Sequence, residues 1–96
     1  MPFAQVLSEI DGKNEPFERP ILVVKKLHGT KLFGVPLTTK TKAGSYFVPV
    51  TYGVTDGIAV LIDSKVFSSK RLIRKIGKIS LDDFKRIKNS LSEMLI

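Results

Sequence analysis

Arg19 opens an apolar run, RPILVVKKL, and a second run, LFGVPLT, ends at Thr38 among further hydroxyls and lysines: Thr39, Lys40, Thr41 and Lys42. A guanidinium is planar, permanently charged and matched to phosphate oxygens two at a time. A threonine hydroxyl can donate to the same phosphate. Together with the neighbouring lysines, these residue types suit a phosphate site. Arg19 suits electrostatic stabilisation better than proton transfer. Other readings are an Arg19 ion pair with Glu15 or Glu18, and threonines that merely end a strand. His28 is the one histidine, and a solvated turn position suits it better than a general base.

For Arg19 and Thr38 to cooperate, the chain must fold back between them. Ile21–Leu27 is rich in β-branched residues and leucine, with Pro20 at its start, where a strand tolerates proline. His28-Gly29-Thr30 supplies a turn. Leu32–Thr38 forms the returning strand, and Pro36 suggests an edge or a bulge. Antiparallel pairing then brings Arg19 and Thr38 to one end, with His28 at the other. Glu9–Glu18, EIDGKNEPFE, reads as a loop before Arg19 and a candidate flap over it. A strand is expected over Ser45–Tyr52, with Tyr46, Val48 and Val50 on one face. Gly53–Gly57 turns the chain, Ile58–Ile62 reads as a central strand, and Lys65–Phe67 as a short one.

Two helices are expected to follow. A short one runs from Ser68 or Ser69 through Ile76, with Leu72, Ile73 and Ile76 inward and Gly77 as its stop. The last is capped by Ser80, with Asp83 three residues on, and repeats Phe84, Ile87, Leu91 and Leu95 at helical spacing. Strands first and helices last imply a small curved or barrel-like sheet flanked by a C-terminal helix.

Composition narrows the function classes. A chain of 96 residues is one domain, enough for a single modest core. With no cysteine and one histidine, thiol catalysis, cysteine-ligated zinc and histidine-cluster metal sites are excluded; no metal or cofactor is expected. No apolar run reaches the roughly 18–20 residues that span a bilayer, and MPFAQVLSEID lacks a signal peptide's features, so the cytoplasm is expected. Sixteen basic against nine acidic residues give a net charge of +7, which favours a polyanionic partner. The last third carries much of it, including Lys65, Lys70, Arg71 and Lys85. Tyr46, Phe47 and Tyr52 could stack on unpaired bases, although such residues, Phe47 above all, are more often core.

RPILVVKKL, FGVPLTTKTKAG, AVLIDSKVFSSKRLIRKIGKIS and DFKRIKNSL, in this order, resemble the MazF/PemK family of toxin endoribonucleases. The likeness runs from about Glu9 to the C-terminus. It implies an α+β, mainly β fold: an SH3-like barrel with a short helix and a C-terminal α-helix, generally a homodimer. It also implies metal-independent cleavage of single-stranded RNA at short sequences, and an acidic antitoxin that blocks the site. The family's catalytic arginine and threonine match Arg19 and Thr38, and its loop glutamate matches Glu9. Its polar run matches Thr39, Lys40, Thr41 and Lys42, the expected RNA contacts. Its Q-x-R segment reads Asp63-Ser64-Lys65 here, which alters the RNA contact expected there and leaves Lys65 as its cation. Eight residues precede Glu9, short for the additional opening strand that members usually carry. The alternative is a non-catalytic barrel that binds nucleic acid or an acidic peptide.

Overall fold

The computed structural model describes residues 3–11, 17–40 and 43–95; for residues 3–5, 8–11, 17–18 and 73–74 the backbone alone is described. Seven strands and one helix follow in order: β1 (Phe3–Asp11), β2 (Phe17–Lys26), β3 (Lys31–Thr38), β4 (Phe47–Tyr52), β5 (Thr55–Val60), β6 (Lys65–Ser68), β7 (Leu72–Ser80) and α1 (Leu81–Leu95). The strands pair antiparallel in the order β4-β5-β3-β2-β1-β7, and β6 adds to β3. The β2–β3 hairpin lies at the centre. Its turn is the expected one, with Gly29 at φ +67°, a conformation that side chains with a Cβ disfavour.

Pro36 is neither at an edge nor in a bulge. It pairs with Ile21 of β2 and lies where the other edge of β3 changes partners. Lys31–Gly34 pair with β6, and Leu37 and Thr38 pair with β5. A residue that cannot donate is tolerated in that gap.

The hairpin is buried on both faces. Leu22, Val35 and Leu37 join Val6, Val48, Val50, Tyr52, Ala59, Leu61 and Ile79 in the main core, which Ile87 and Leu91 of α1 complete. On the opposite face Ile21, Leu32 and Phe67 form a smaller cluster. Each valine, leucine, isoleucine or phenylalanine among them contributes about 1.5–3 kcal/mol when taken fully out of water.

The open ends of the sheet curl toward each other, and Tyr52 of β4 bridges them. A Cβ at Gly77 in β7 would lie 3.1 Å from the Tyr52 ring, and one at Gly57 in β5 would lie 2.9 Å from it. The two glycines make room for the ring. Among the described residues no backbone ladder joins β4 to β7, so the sheet is curled but not closed as a barrel, and side-chain packing alone draws its ends together.

Several expectations are corrected here. Glu9, expected in a loop, lies in β1, and its backbone is paired with Arg19. The opening strand is present and pairs with both β2 and β7. Residues 12–16 of the expected flap lie outside the described residues. The short helix through Ile76 is instead a single 3-10 turn, Ser69–Arg71, followed by β7. The register between β1 and β7 slips twice, because Val6 pairs with Gly77 but Leu7 with Lys75, and Ser8 with Arg74 but Glu9 with Leu72. Ile76 and Ile73 are therefore the extra residues of two bulges. Two bulges break strict alternation and leave Leu72, Ile73 and Ile76 at a spacing that imitates a helix. Ile58–Ile62 ends as a strand at Val60, and Leu61–Asp63 form a 3-10 turn. Tyr46 is exposed beside the buried Val48 and Val50, and Leu95 is exposed at the end of α1.

The C-terminal helix is as expected. Ser80 Oγ accepts the Asp83 N–H at 3.2 Å. Asp83 also accepts the Thr51 N–H at 3.4 Å. Arg86 donates to Asp83 at 2.6 Å and to the Pro49 carbonyl at 2.8 Å. These contacts occupy the outer edge of β4, which would otherwise offer unpaired backbone to another chain. No described helix is long and apolar enough to cross a membrane.

Two stability predictions follow from this packing. A Cβ at Gly34 would lie 2.7 Å from Ile21 Cγ2 and 3.0 Å from Phe67 Cδ2. Gly34→Ala should therefore cost about 1–3 kcal/mol in urea denaturation, the range for overpacking. Burial raises the Tyr52 phenol above its ordinary pKa of 10.0. A phenol with a higher pKa folded than unfolded gives its full stabilisation below pH 10 and loses it as pH climbs toward the folded value. Melting temperature should thus fall above about pH 10, and Tyr52→Phe should fall less over the same interval.

Candidate active site

The β2–β3 register determines where Arg19 and Thr38 stand. The last paired rung is Ile21 with Pro36. Two residues further along each strand, the same register sets Arg19 opposite Thr38. On the far side of β2, Arg19 is the backbone partner of Glu9. Beyond β3, Thr38 is the partner of Ile58 in β5. Glu9, Arg19 and Thr38 therefore occupy one row across three neighbouring strands.

Arg19 is exposed and Thr38 half-buried. Both line a 580 Å³ cleft, with Thr39, Lys40, Phe47, Tyr52, Ile62 and Asp63 on its walls. The Thr38 hydroxyl accepts the Lys40 N–H at 3.2 Å. That bond uses an oxygen lone pair and leaves the hydroxyl hydrogen to donate into the cleft. It also folds the start of the polar loop back so that Lys40 joins the wall. A second cavity of 320 Å³ adjoins the first and shares Arg19, Pro36, Ile62 and Asp63 with it; Ile21, Ser64, Lys65 and Phe67 complete it. Arg19 thus stands where the two cavities meet.

The structure brings Arg19, Thr38, Thr39 and Lys40 together as the sequence suggested. Lys65 lines only the smaller cavity. The backbone of Glu9 is beside Arg19, in a strand rather than a flap. Thr41, Lys42, Glu15 and the Glu18 side chain lie outside the described residues. His28 is exposed in the turn at the other end of the hairpin.

Phe47 is half-buried and contributes to the larger cleft instead of filling the core. Ile62 is not among the expected contacts, and Asp63 stands out in the sequence only as a departure from the family's Q-x-R segment. They reach both cavities because the 3-10 turn after β5 swings the chain outward. No local pattern marks that turn, since Ile58–Ile62 reads as one uninterrupted apolar run.

No curated protein sequence matches the chain. Among solved structures, the Mycobacterium tuberculosis toxin MazF-mt6 superposes with a TM-score of 0.75 at 15% identity, over 95% of each chain. A mycobacterial endoribonuclease solved with its cognate antitoxin gives a TM-score of 0.79 at 19% identity, over 95% of this chain and 90% of its own. A further mycobacterial endoribonuclease gives 0.74 at 19% identity, over 95% and 86%. At such identities the likeness is one of fold. Family membership is carried by the sequence itself, since the model of the PemK-like, MazF-like toxins of type II toxin–antitoxin systems matches residues 4–95. With nearly the whole chain matched, and with strands and helix arranged as in those toxins, the chain belongs to that family.

Proposed function

We propose that this toxin is an endoribonuclease that cleaves single-stranded RNA without a metal ion. The supporting observation is that Arg19 and Thr38, far apart in sequence, line one cleft with Thr39 and Lys40. In this reading a scissile phosphate sits over the Arg19–Thr38 row. The 2′-oxygen attacks phosphorus in line, and the bond from phosphorus to the 5′-oxygen breaks. Glu9, on the strand beside Arg19, accepts the 2′-OH proton or orients the guanidinium. The departing 5′-oxygen takes up a proton, so the products are a 2′,3′-cyclic phosphate and a 5′-OH. Arg19 holds two phosphoryl oxygens, and the Thr38 hydroxyl donates to one of them as their charge grows. Thr39 and Lys40, with Thr41 and Lys42 after them, hold the flanking strand, and Lys65 holds it on the other side of Arg19. The substrate is mRNA in the cytoplasm, and the working form is a homodimer.

The partner that restrains it is an acidic antitoxin. A chain with a net charge of +7 and an open, cationic cleft suits an acidic segment. The fold relative solved with its cognate antitoxin supports the same reading.

The test is incubation with mixed-sequence RNA in EDTA, followed by mapping of product ends. Cyclic-phosphate ends should appear at an undiminished rate. Arg19→Ala and Thr38→Ala should each lower the cleavage rate about 10²–10³-fold, the scale for losing one oxyanion donor, with melting temperature unchanged. Lys40→Ala should act mainly on binding and flatten its salt dependence. Steep salt-dependent binding without cyclic-phosphate ends would instead identify a non-catalytic RNA-binding barrel. Cleavage that survives in both alanine variants would move the active site elsewhere.

A further inference from the structure

The smaller cavity holds a group that phosphate binding does not use. Asp63 is the only carboxylate lining either cavity among the described residues. It is exposed and takes no hydrogen bond or ion pair within them. A carboxylate accepts hydrogen bonds and cannot donate, so it repels phosphate oxygens. Its place beside Arg19 calls for a ligand group rich in donors.

The surroundings define that ligand further. Asp63 ends a 3-10 turn whose first residue, Leu61, is fully buried. The Leu61 N–H donates to the Tyr46 carbonyl at 2.9 Å, and Ser64 donates to the Leu61 carbonyl through both its N–H, at 3.1 Å, and its Oγ, at 2.6 Å. The turn is therefore pinned while Ile62 and Asp63 face outward. Two residues on, Lys65 Nζ lies 5.2 Å from the centroid of the Phe67 ring, a contact that keeps the ammonium over the cavity floor. Pro36 and Ile62 supply apolar walls. A cavity of 320 Å³ is at the small end of ligand clefts, a size for one base and not for a run of nucleotides.

The geometry points to a guanine-reading subsite, occupied by a nucleotide next to the cleaved bond. This rests on the chain being an RNA-cleaving toxin. Unpaired bases in single-stranded RNA offer their Watson–Crick edges. Guanine presents two adjacent donors, N1–H and the N2 amino group, and next to them the O6 acceptor. The Asp63 carboxylate takes both donors, and the Lys65 ammonium donates to O6. Cytosine and adenine offer the carboxylate one amino group beside a repelling ring nitrogen. Uracil offers one N–H between two carbonyls. The apolar walls cover the base faces, and the shared Arg19 takes the attached phosphate.

Two measurements test the subsite on the intact protein and on Asp63→Asn, an exposed position whose change leaves the core untouched. The first is the base composition around the cut sites in mixed-sequence RNA. The second is NMR titration with guanosine, adenosine, cytidine and uridine monophosphates. Guanine should be enriched at one position beside the cut, and the enrichment should fall about tenfold in the variant, within the range for losing a bidentate base contact. Guanosine monophosphate should shift the Ser64 and Lys65 amide resonances more than the other nucleotides, and less in the variant. Cuts without guanine enrichment, or equal enrichment in the variant, would overturn the proposal. So would a variant that cuts every sequence faster alike, because Asp63 would then only be diluting positive charge. Binding of guanosine monophosphate through Asp63 without any RNA cleavage would keep the subsite and refute the ribonuclease reading.

Discussion

Everything at the candidate site depends on the register between β2 and β3. A β-ladder fixes which residues face each other, and a slip of one residue would turn every side chain to the opposite face. Here the register cannot slip cheaply, because both faces of the hairpin are buried. Leu22 and Val35 belong to the main core, while Ile21 packs with Phe67 on the other side. Moving either strand by one position would expose one set and drive the other into occupied space. The same hydrophobic burial that stabilises the domain therefore holds Arg19 opposite Thr38.

The remaining elements secure this pairing and build around it. β6 and β5 divide the outer edge of β3 between them, so the strand that ends in Thr38 is paired along that edge except at Val35 and Pro36. β1 secures the other side of β2 and brings Glu9 level with Arg19. Tyr52, between Gly57 and Gly77, draws the two ends of the sheet together and also forms part of the cleft wall. Core and site thus share a side chain. α1 covers the edge of β4 through Asp83 and Arg86 and places Ile87 and Leu91 beneath the sheet.

Much of this was legible in the chain. The central hairpin announced itself through two apolar runs around a Gly-containing turn, and with it the meeting of Arg19 and Thr38. Ser80 and Asp83 marked the start of α1 because capping is local chemistry. What stayed hidden was set by partners distant in sequence. Residues 72–80 became a strand because β1 offered an edge to pair with, and two bulges at Ile73 and Ile76 disguised its alternation. Glu9 read as part of a loop because the polar stretch after it carries no period, yet its backbone is held between β2 and β7. Asp63 became a wall of the cleft through a 3-10 turn that no residue type signals. The sequence motif supplied the chemistry, and the tertiary ladder decided which residues it could reach.

The central claim is that one phosphodiester is held jointly by a guanidinium and a hydroxyl from paired strands. The most direct measurement is a crystal structure with a short RNA in which a 2′-deoxy nucleotide blocks attack at the cut site. The account predicts a phosphate whose oxygens lie within hydrogen-bond distance of both Arg19 and Thr38 Oγ1, with its neighbouring base in the cavity beside Asp63. A phosphate bound by only one of the two, or an RNA path that avoids the cleft, would contradict it.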